Sequence, residues 1–529
     1  MAEGIFLRKA TGLVREVGLG SAILFCTTYT TVMWGPFLVI PYFAGYGNFV
    51  GNVWLGLAIG LVATLLVNSV YAHFSSAMPR SGGDYVFIGR TINPLLGFAA
   101  NWGWSWVATF WNAANLLFFA TIMQLFLSGF YSQDALAFWY STWGTIALGL
   151  ILWIIAFVLL IIGGTRAYMK VQSVAWIIMF AAFGVVAYYF MSAAGNFPAL
   201  FNSWAQQYVP TEPDMYHKII NDAVAGGFQL NPPPEGPMMP QTLAWAVMTL
   251  GVPYTAGIVW IAGEVKKAES GIRQHIAMEI GEVFYTIILI VAGVTFLFAA
   301  DPKFLGAVLY LGSVNGLPVT SFFWSLFPAI MPPWAFEFFA FAALLGGVIV
   351  YCAGVLVVSR CLFAWSFDRL LPSFFAHVSD RNKVPTTALA TALIFTLFLL
   401  VLEVNANIWT YIGASYFMVM ISIFIVCFAG LVFPYVRKDM FEQMPLKARI
   451  GGIPVLSIVS LLALVFMVWT GTSYFTNPAY MTSFGITQTM IVCTVLIYAV
   501  GIAIYFISRA YNKRRGIDMA MAFRQIPPA

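Results

Sequence analysis

Twelve runs of about 20 largely apolar residues, divided by short segments that hold most of the charge, constrain this chain more than any other feature. A run of that length carries an α-helix across the roughly 30 Å of hydrocarbon in a bilayer. The first six fall near Leu19–Phe43, Val53–His73, Leu95–Leu127, Thr142–Ile162, Val171–Ala193 and Gln241–Ala262. The others fall near Ile276–Ala300, Trp334–Phe363, Thr387–Leu402, Ile408–Phe433, Ile453–Thr470 and Thr487–Ile507. Phe304–Ile330 has a similar length, but Gly312, Asn315, Gly316, Pro318 and Pro328 interrupt it, so it reads as a partly buried external loop. With 61% hydrophobic and 9% charged residues and a mean hydropathy of +0.87, against roughly 25% charged in soluble proteins, the expected class is an all-α integral membrane protein in the lipid bilayer.

Charge sets the expected topology. With the N-terminus inside, 23 of the 25 Lys and Arg lie in interior segments, and only Lys218 and Lys303 fall outside. A thirteenth span would invert every later loop and destroy this asymmetry, so the positive-inside rule favours twelve, with both termini cytoplasmic. The net charge of +5 then reflects topology and calls for no nucleic-acid partner. Residues 1–18 read as a cytoplasmic segment, 19–195 as spans one to five, and 196–240 as an extracellular connector. Residues 241–433 hold spans six to ten, 434–507 a cytoplasmic loop and the last two spans, and 508–529 a basic cytoplasmic tail. The connector, rich in Pro and Gly, reads as a loop lid and not as a folded domain. No cleavable signal peptide is visible, so the first span is expected to act as the insertion signal. Cys26, Cys352, Cys361, Cys427 and Cys493 lie in apolar segments without CxxC spacing and read as buried hydrophobes, neither disulfides nor metal ligands. No cofactor is expected.

Five spans on each side of the connector have opposite orientation, the arithmetic of an inverted-topology repeat. Both halves open on an interrupted segment. The first contains CTTYTTVMWGPFLVIP: Thr27, Thr28, Tyr29, Thr30 and Thr31 sit in its middle, and Gly35 and Pro36 follow. Pro36 has no N–H, and its ring crowds the carbonyl of Val32. The sixth contains TLGVPYTAG, with Gly251, Pro253 and Gly257; Pro253 leaves the carbonyl of Thr249 without its helical partner. Opened backbone is tolerated in hydrocarbon only where protein or a watery cavity satisfies it. Proline kinks are common in membrane helices, but a break at the first position of both halves points to a substrate site between broken helices.

Three sequence blocks carry a family resemblance. SSAMPRSGGDYVFIGRTINPLLGFAANW follows the second span, IAGEVKKAESGIRQHI ends the sixth, and SRCLFAWSFDRLLPSFFAHVSDRNKVPTTAL follows the eighth. Together they resemble the signatures of the amino acid–polyamine–organocation (APC) superfamily, although Ala268 replaces a usual proline. The resemblance implies a secondary transporter of amino acids or related amines working by alternating access. Thr27–Thr31 looks like that family's carboxylate-binding stretch, where the exposed N–H groups of a half-helix meet the anion. Asn112 matches a polar substrate-contacting position, with Ala108 and Asn115 on the same helical face. Pro253, Tyr254, Thr255, Ala256 and Gly257 would form the other half of the site. Thr hydroxyls that bond their own helix and asparagines that bond neighbouring helices are the competing structural readings. Of the loop charges Arg80, Asp84, Arg90, Glu264, Arg360 and Asp368, most read as solvated. Arg360 and Asp368, inside the most specific block, are expected to act as gate or hinge.

The central thirds of the first, third, sixth, eighth and tenth spans hold no Asp, Glu, Lys or Arg, while Glu279 and Glu282 read as near the start of the seventh. A buried third charge on the substrate would go unpaired, and Trp104, Phe110, Trp111 and Tyr254 could line an apolar pocket. A neutral, hydrophobic or aromatic amino acid is therefore expected. Cation–π contacts keep a second reading open, an exchanger or uniporter of cationic amino acids or polyamines. The fifth span lacks the lysine that some members place there to mimic sodium, and the eighth offers mainly Cys352 and Ser359 as candidate sodium contacts. Proton coupling elsewhere, or none, stays open, as does oligomeric state. A redox protein would need axial haem ligands, yet the four histidines lie in loops or at span ends. A sensor would need an appended signalling domain, for which neither terminus seen here has the length.

Overall fold

A computed structural model describes residues 12–30, 39–40, 42–43, 51–131, 133–230, 238–249, 254–319, 323–406, 408, 414–476, 488–519 and 523. Thr31, Gly35, Pro36, Gly251 and Pro253 lie outside them. The helices in chain order are α1 (Leu19–Tyr29), α2 (Val53–Ala77), α3 (Asp84–Thr91), α4 (Pro94–Ser128), α5 (Thr142–Phe157) and α6 (Gly164–Ser192). Then come α7 (Phe197–Ala205), α8 (Met215–Ala225), α9 (Met238–Thr249), α10 (Ile272–Ala299), α11 (Pro302–Leu311) and α12 (Pro333–Phe367). The last are α13 (Thr386–Ala406), α14 (Ala414–Val436), α15 (Val455–Thr476) and α16 (Gln488–Arg514). A 3₁₀ segment, Tyr254–Glu264, follows α9, and Arg449–Ile450 pairs antiparallel with Ile453–Pro454. Among the described residues, ten helices are long and apolar enough to cross a membrane: α2, α4, α5 with its π-helical extension to Ile162, α6, α10, and α12 to α16.

Local chemistry sets the helix starts. The Asn52 side chain accepts from Leu55 N–H to open α2, and Asn93 accepts from Leu95 and Leu96 N–H to open α4. Pro94 and Pro333 stand in the first turns of α4 and α12, where a missing N–H costs nothing. These last two helices, 35 residues each and so about 50 Å long, cross along much of their length. α12 is the hub: 89% of its most apolar stretch is buried, as expected of a helix apolar on every side. α4, α6 and α13 pack around it. Outward faces of α6, α10 and α16 expose Ile177, Val291 and Phe506, forming an apolar rim suited to lipid.

The connector is more structured than a loop lid. It holds α7 and α8, and α8 lies against α11 with Tyr216 stacked on Phe304 at 4.4 Å between ring centroids. α11 has 10 residues, too few to cross a bilayer.

α3 runs back along the start of α4 at the end of the bundle that carries Arg15, Arg80 and Arg90, here called the basic face. The fit depends on two glycines: a Cβ at Gly97 would come within 2.6 Å of the Gly89 nitrogen and 2.8 Å of its Cα. Both obstacles are backbone and cannot rotate away. Gly97→Val is expected to destabilise the protein by about 1–3 kcal/mol, read as a lower melting midpoint in detergent. A wild-type midpoint would contradict this packing.

Candidate functional site

The two interrupted segments meet at the centre of the bundle. α1 ends at Tyr29, and Thr30 caps it. After α9 ends at Thr249, the 3₁₀ segment begins at Tyr254 and packs against α1. The contact is close. A Cβ at Gly257 would lie 2.5 Å from Tyr29 Cδ1, so only glycine lets the Tyr29 ring lie on that backbone. Tyr29 is flanked by Phe25, Trp104 and Tyr254 at centroid distances of 6.2, 6.3 and 6.2 Å. Trp104 stacks in turn on Trp260 at 4.2 Å, and Trp260 tilts against Tyr71 at 5.7 Å. An aromatic column thus runs from Tyr254 towards the basic face.

The expected site residues divide. Ala256 and Gly257 are buried where the segments meet, and Tyr29 and Tyr254 touch. The threonine hydroxyls are engaged. Thr27 donates to the Ile23 carbonyl at 2.9 Å and Thr30 to the Thr27 carbonyl at 2.5 Å, the back-bonding that membrane helices often show. Thr28 accepts from Trp176 Nε1 at 2.8 Å. Asn112 faces α12, where a Cβ on Gly354 would collide with its carboxamide. Ala108, Asn112 and Asn115 are all buried, yet Asn112 Nδ2 and Asn115 Oδ1 make no hydrogen bond among the described residues. Phe110 points elsewhere, to Trp106, which meets Phe395 of α13. Trp260 lies too deep to gate an entrance, closing over Gly83, whose φ of +53° favours glycine.

Several residues contradict their sequence reading. Asp84, Arg90 and Glu264 are 0%, 4% and 2% exposed, not solvated. Arg360 grips Glu264 through Nε–Oε1 at 2.7 Å and Nη2–Oε2 at 2.9 Å, the two-pronged match of guanidinium to carboxylate. Thr165 and Ser359 complete the set. The Ser359 hydroxyl also donates to the Leu356 carbonyl at 2.7 Å. Asp368 pairs instead with Arg90 at 2.6 Å and with the Tyr85 hydroxyl at 2.7 Å. The Phe523 ring lies 5.0 Å from the Arg90 guanidinium. This second pair is less complete: Arg90 Nε and Nη1 and Asp368 Oδ1 find no partner among the described residues. Asp84 takes donors from Asn101, Ser422 and the Tyr85 N–H. Lys170 lies within α6 and is exposed; nearby on that helix the buried Gln172 donates to the Ser21 carbonyl at 3.2 Å. Glu282 is no end-of-helix residue either. It sits ten residues into α10, about 15 Å from its start, fully buried and accepting from Thr255 Oγ1 at 2.9 Å. The signal for these positions was their fixed place beside signature residues; the pairing itself spans 96 and 278 residues of sequence.

Two expectations follow. Arg360→Met strands the Glu264 carboxylate in a dry site, which typically costs about 3–5 kcal/mol. Adding Glu264→Leu should restore most of that stability, and a double variant no better than the single one would show that the pair is not the cause. Burial pushes the Asp84 carboxyl up from its ordinary 3.8 to about 6, against the opposing pull of hydrogen bonds from Ser422, Asn101 and the Tyr85 N–H. An acid raised in the folded state holds its proton more tightly there than when unfolded. Its contribution is therefore full below pH 3.8 and lost as pH climbs through about 6, a change of about 3 kcal/mol. Melting in detergent should show this decline in the wild type, and Asp84→Asn should flatten it.

The profile of one protein family, described as amino acid permease, matches residues 19–513, from the first residue of α1 to the penultimate residue of α16. Among curated proteins no relative matches. The match spans all three signature blocks, the two interrupted segments and both ion-pair networks. Permeases move small molecules across membranes and are not an enzyme family. The chain belongs to the amino acid permease family, within the APC superfamily.

Proposed function

We propose that this protein is a secondary transporter that moves neutral, apolar amino acids across the cytoplasmic membrane by alternating access. Its architecture is twelve spans with a five-plus-five inverted repeat, both termini are cytoplasmic, and the basic face is the inner one. The observation that carries this reading is the meeting of the two interrupted segments at Tyr29 and Gly257. There the C-terminal end of α1 and the 3₁₀ segment lie side by side, and in this reading each provides polar main-chain groups for a zwitterion.

Helix pairing supports the repeat. α1 packs on α10, and the counterpart pairing sets α9 and the 3₁₀ segment on α2. α6 packs on α12 as α14 packs on α4, and α5 lies on α4 as α13 lies on α12. Each contact recurs with the halves exchanged. The basic face carries the gate in this reading. Arg360–Glu264, with its full set of partners, is a fixed tie. Arg90–Asp368, with donors to spare, is the pair that breaks when the protein opens inward. Apolar preference rests on Trp104, Tyr29 and Tyr254 around the junction.

Uptake of labelled amino acid into proteoliposomes, competed by a full amino-acid panel, tests the proposal. Leucine- or phenylalanine-like substrates should compete best. If arginine, lysine or a polyamine competed best and neither leucine nor phenylalanine did, the second reading would replace this one. Asn112→Leu removes a carboxamide whose nitrogen has no partner among the described residues; a lost substrate contact of about 1–3 kcal/mol should weaken affinity roughly tenfold or more. Unchanged affinity would return Asn112 to the α4–α12 interface alone.

A further inference from the structure

We propose that Glu282 is the site where this transporter carries a proton, so that amino-acid uptake is proton-coupled. The proposal rests on the transport reading above. Glu282 is 1% exposed in the middle of α10, and Gly281 beside it packs on Cys26 and Thr27 of α1. Its carboxylate reaches Thr255, in the 3₁₀ segment that forms half of the junction.

Nothing cationic stands against it among the described residues. α1 brings Cys26, with Tyr29 held in its aromatic stack. α2 brings Asn68 and, nearer the basic face, His73, which meets the Ser69 carbonyl; its Tyr71 lies on Trp260. The 3₁₀ segment brings Thr255, its Tyr254 lies on Tyr29, and its Glu264 is taken by Arg360. α6 turns Trp176 and Gln172 inward, with Tyr168 bonded to Gln172, while Arg166 and Lys170 are exposed. The Ala268–Ser270 turn has only Glu269, paired with Arg15. On α10 itself, Glu279 is one turn away and joins His275 at 3.0 Å, Arg273 lies at the helix start, and Tyr285 is one turn beyond. Burying a carboxylate without a counter-charge is costly, and a proton is the simplest compensation.

The neighbouring hydroxyl accommodates both protonation states. Thr255 Oγ1 lies 2.9 Å from Glu282 Oε2, 2.9 Å from Asn68 Nδ2 and 3.2 Å from Asn68 Oδ1. With Glu282 ionised, Asn68 donates to Thr255 and Thr255 donates to the carboxylate. With Glu282 protonated, the acid donates to Thr255, whose own proton turns to Asn68 Oδ1. Both arrangements are complete. Only the first ties the 3₁₀ segment to α10 by a charge-assisted bond, so proton binding weakens that tie. Glu279 and His275, at i−3 and i−7 on the same helix, lead to the basic face and give the proton an exit. Glu337 and Glu403 sit at the far ends of α12 and α13.

Reconstituted protein and infrared spectroscopy test the proposal. Wild type should accumulate leucine against a gradient when the outside is more acidic, and should carry a protonated carboxyl band at neutral pH. Glu282→Gln, which keeps the shape of the acid, should lose that band and at least tenfold of the gradient-driven accumulation. It should still exchange leucine for leucine, now without pH dependence. Thr255→Val should shift the wild-type band, a readout that needs no transport. Gradient-driven accumulation by Glu282→Gln at the wild-type level would overturn the proposal, as would a band unaltered in that variant. Wild type that exchanges leucine but ignores the pH gradient would overturn the coupling alone. Wild type that exchanges no amino acid would fail the transport reading, and the coupling with it.

Discussion

The structure depends first on the bidentate pair between Arg360 and Glu264, which joins segments far apart in the sequence. Glu264 is the last residue of the 3₁₀ segment, and its carbonyl accepts from Val17 N–H while Lys266 N–H donates to the Val17 carbonyl. One carboxylate thus anchors the 3₁₀ segment to α12 and, through its own backbone, to the strand-like stretch ahead of α1. Buried ion pairs rarely add net stability over apolar residues of the same shape. Their geometry is specific, however, and here it sets the position of the 3₁₀ segment against α12.

Packing supplies the rest of the cage. α12 is enclosed on nearly every side, and its Gly354 admits Asn112 where any side chain would clash. Gly257 beneath Tyr29 and Gly97 against Gly89 follow the same logic: small residues let backbones and rings approach, and dispersion replaces the hydrophobic drive that lipid cannot provide. The two ion pairs of the basic face differ in kind. One is saturated with partners. The other is covered by the rings of Tyr85 and Phe523 and leaves two guanidinium nitrogens without a hydrogen bond among the described residues. A pair of the second sort has fewer hydrogen bonds to lose when its members part.

The same geometry recasts the electrostatics of the core. A reading of charge by distance along each span leaves the centre without ionisable groups. In three dimensions α10 brings Glu282 beside Thr255, and the junction has a carboxylate at its edge. An apolar substrate side chain remains compatible with the aromatic column, because Glu282 is occupied by its own hydrogen-bond partners.

The amino-acid chain alone said that it is helical and crosses a membrane, since apolar runs of bilayer length have no other stable form, and its signature blocks identified the superfamily. It also marked the candidate breaks, because proline removes a hydrogen bond wherever it stands. The helices of the connector were within reach too: Phe197, Phe201 and Trp204, then Met215, Ile219 and Ala223, recur at helical spacing. Which polar groups are buried and paired depends on the folded arrangement of the helices. Arg90 meets Asp368 across 278 residues and Asn68 meets Thr255 across 187, and nothing local in the chain records either partner. The depth of Glu282 likewise depends on where α10 begins and what packs on it. Periodicity fixes a side chain's direction around one helix axis, whereas its environment is set by the neighbours that the fold brings there.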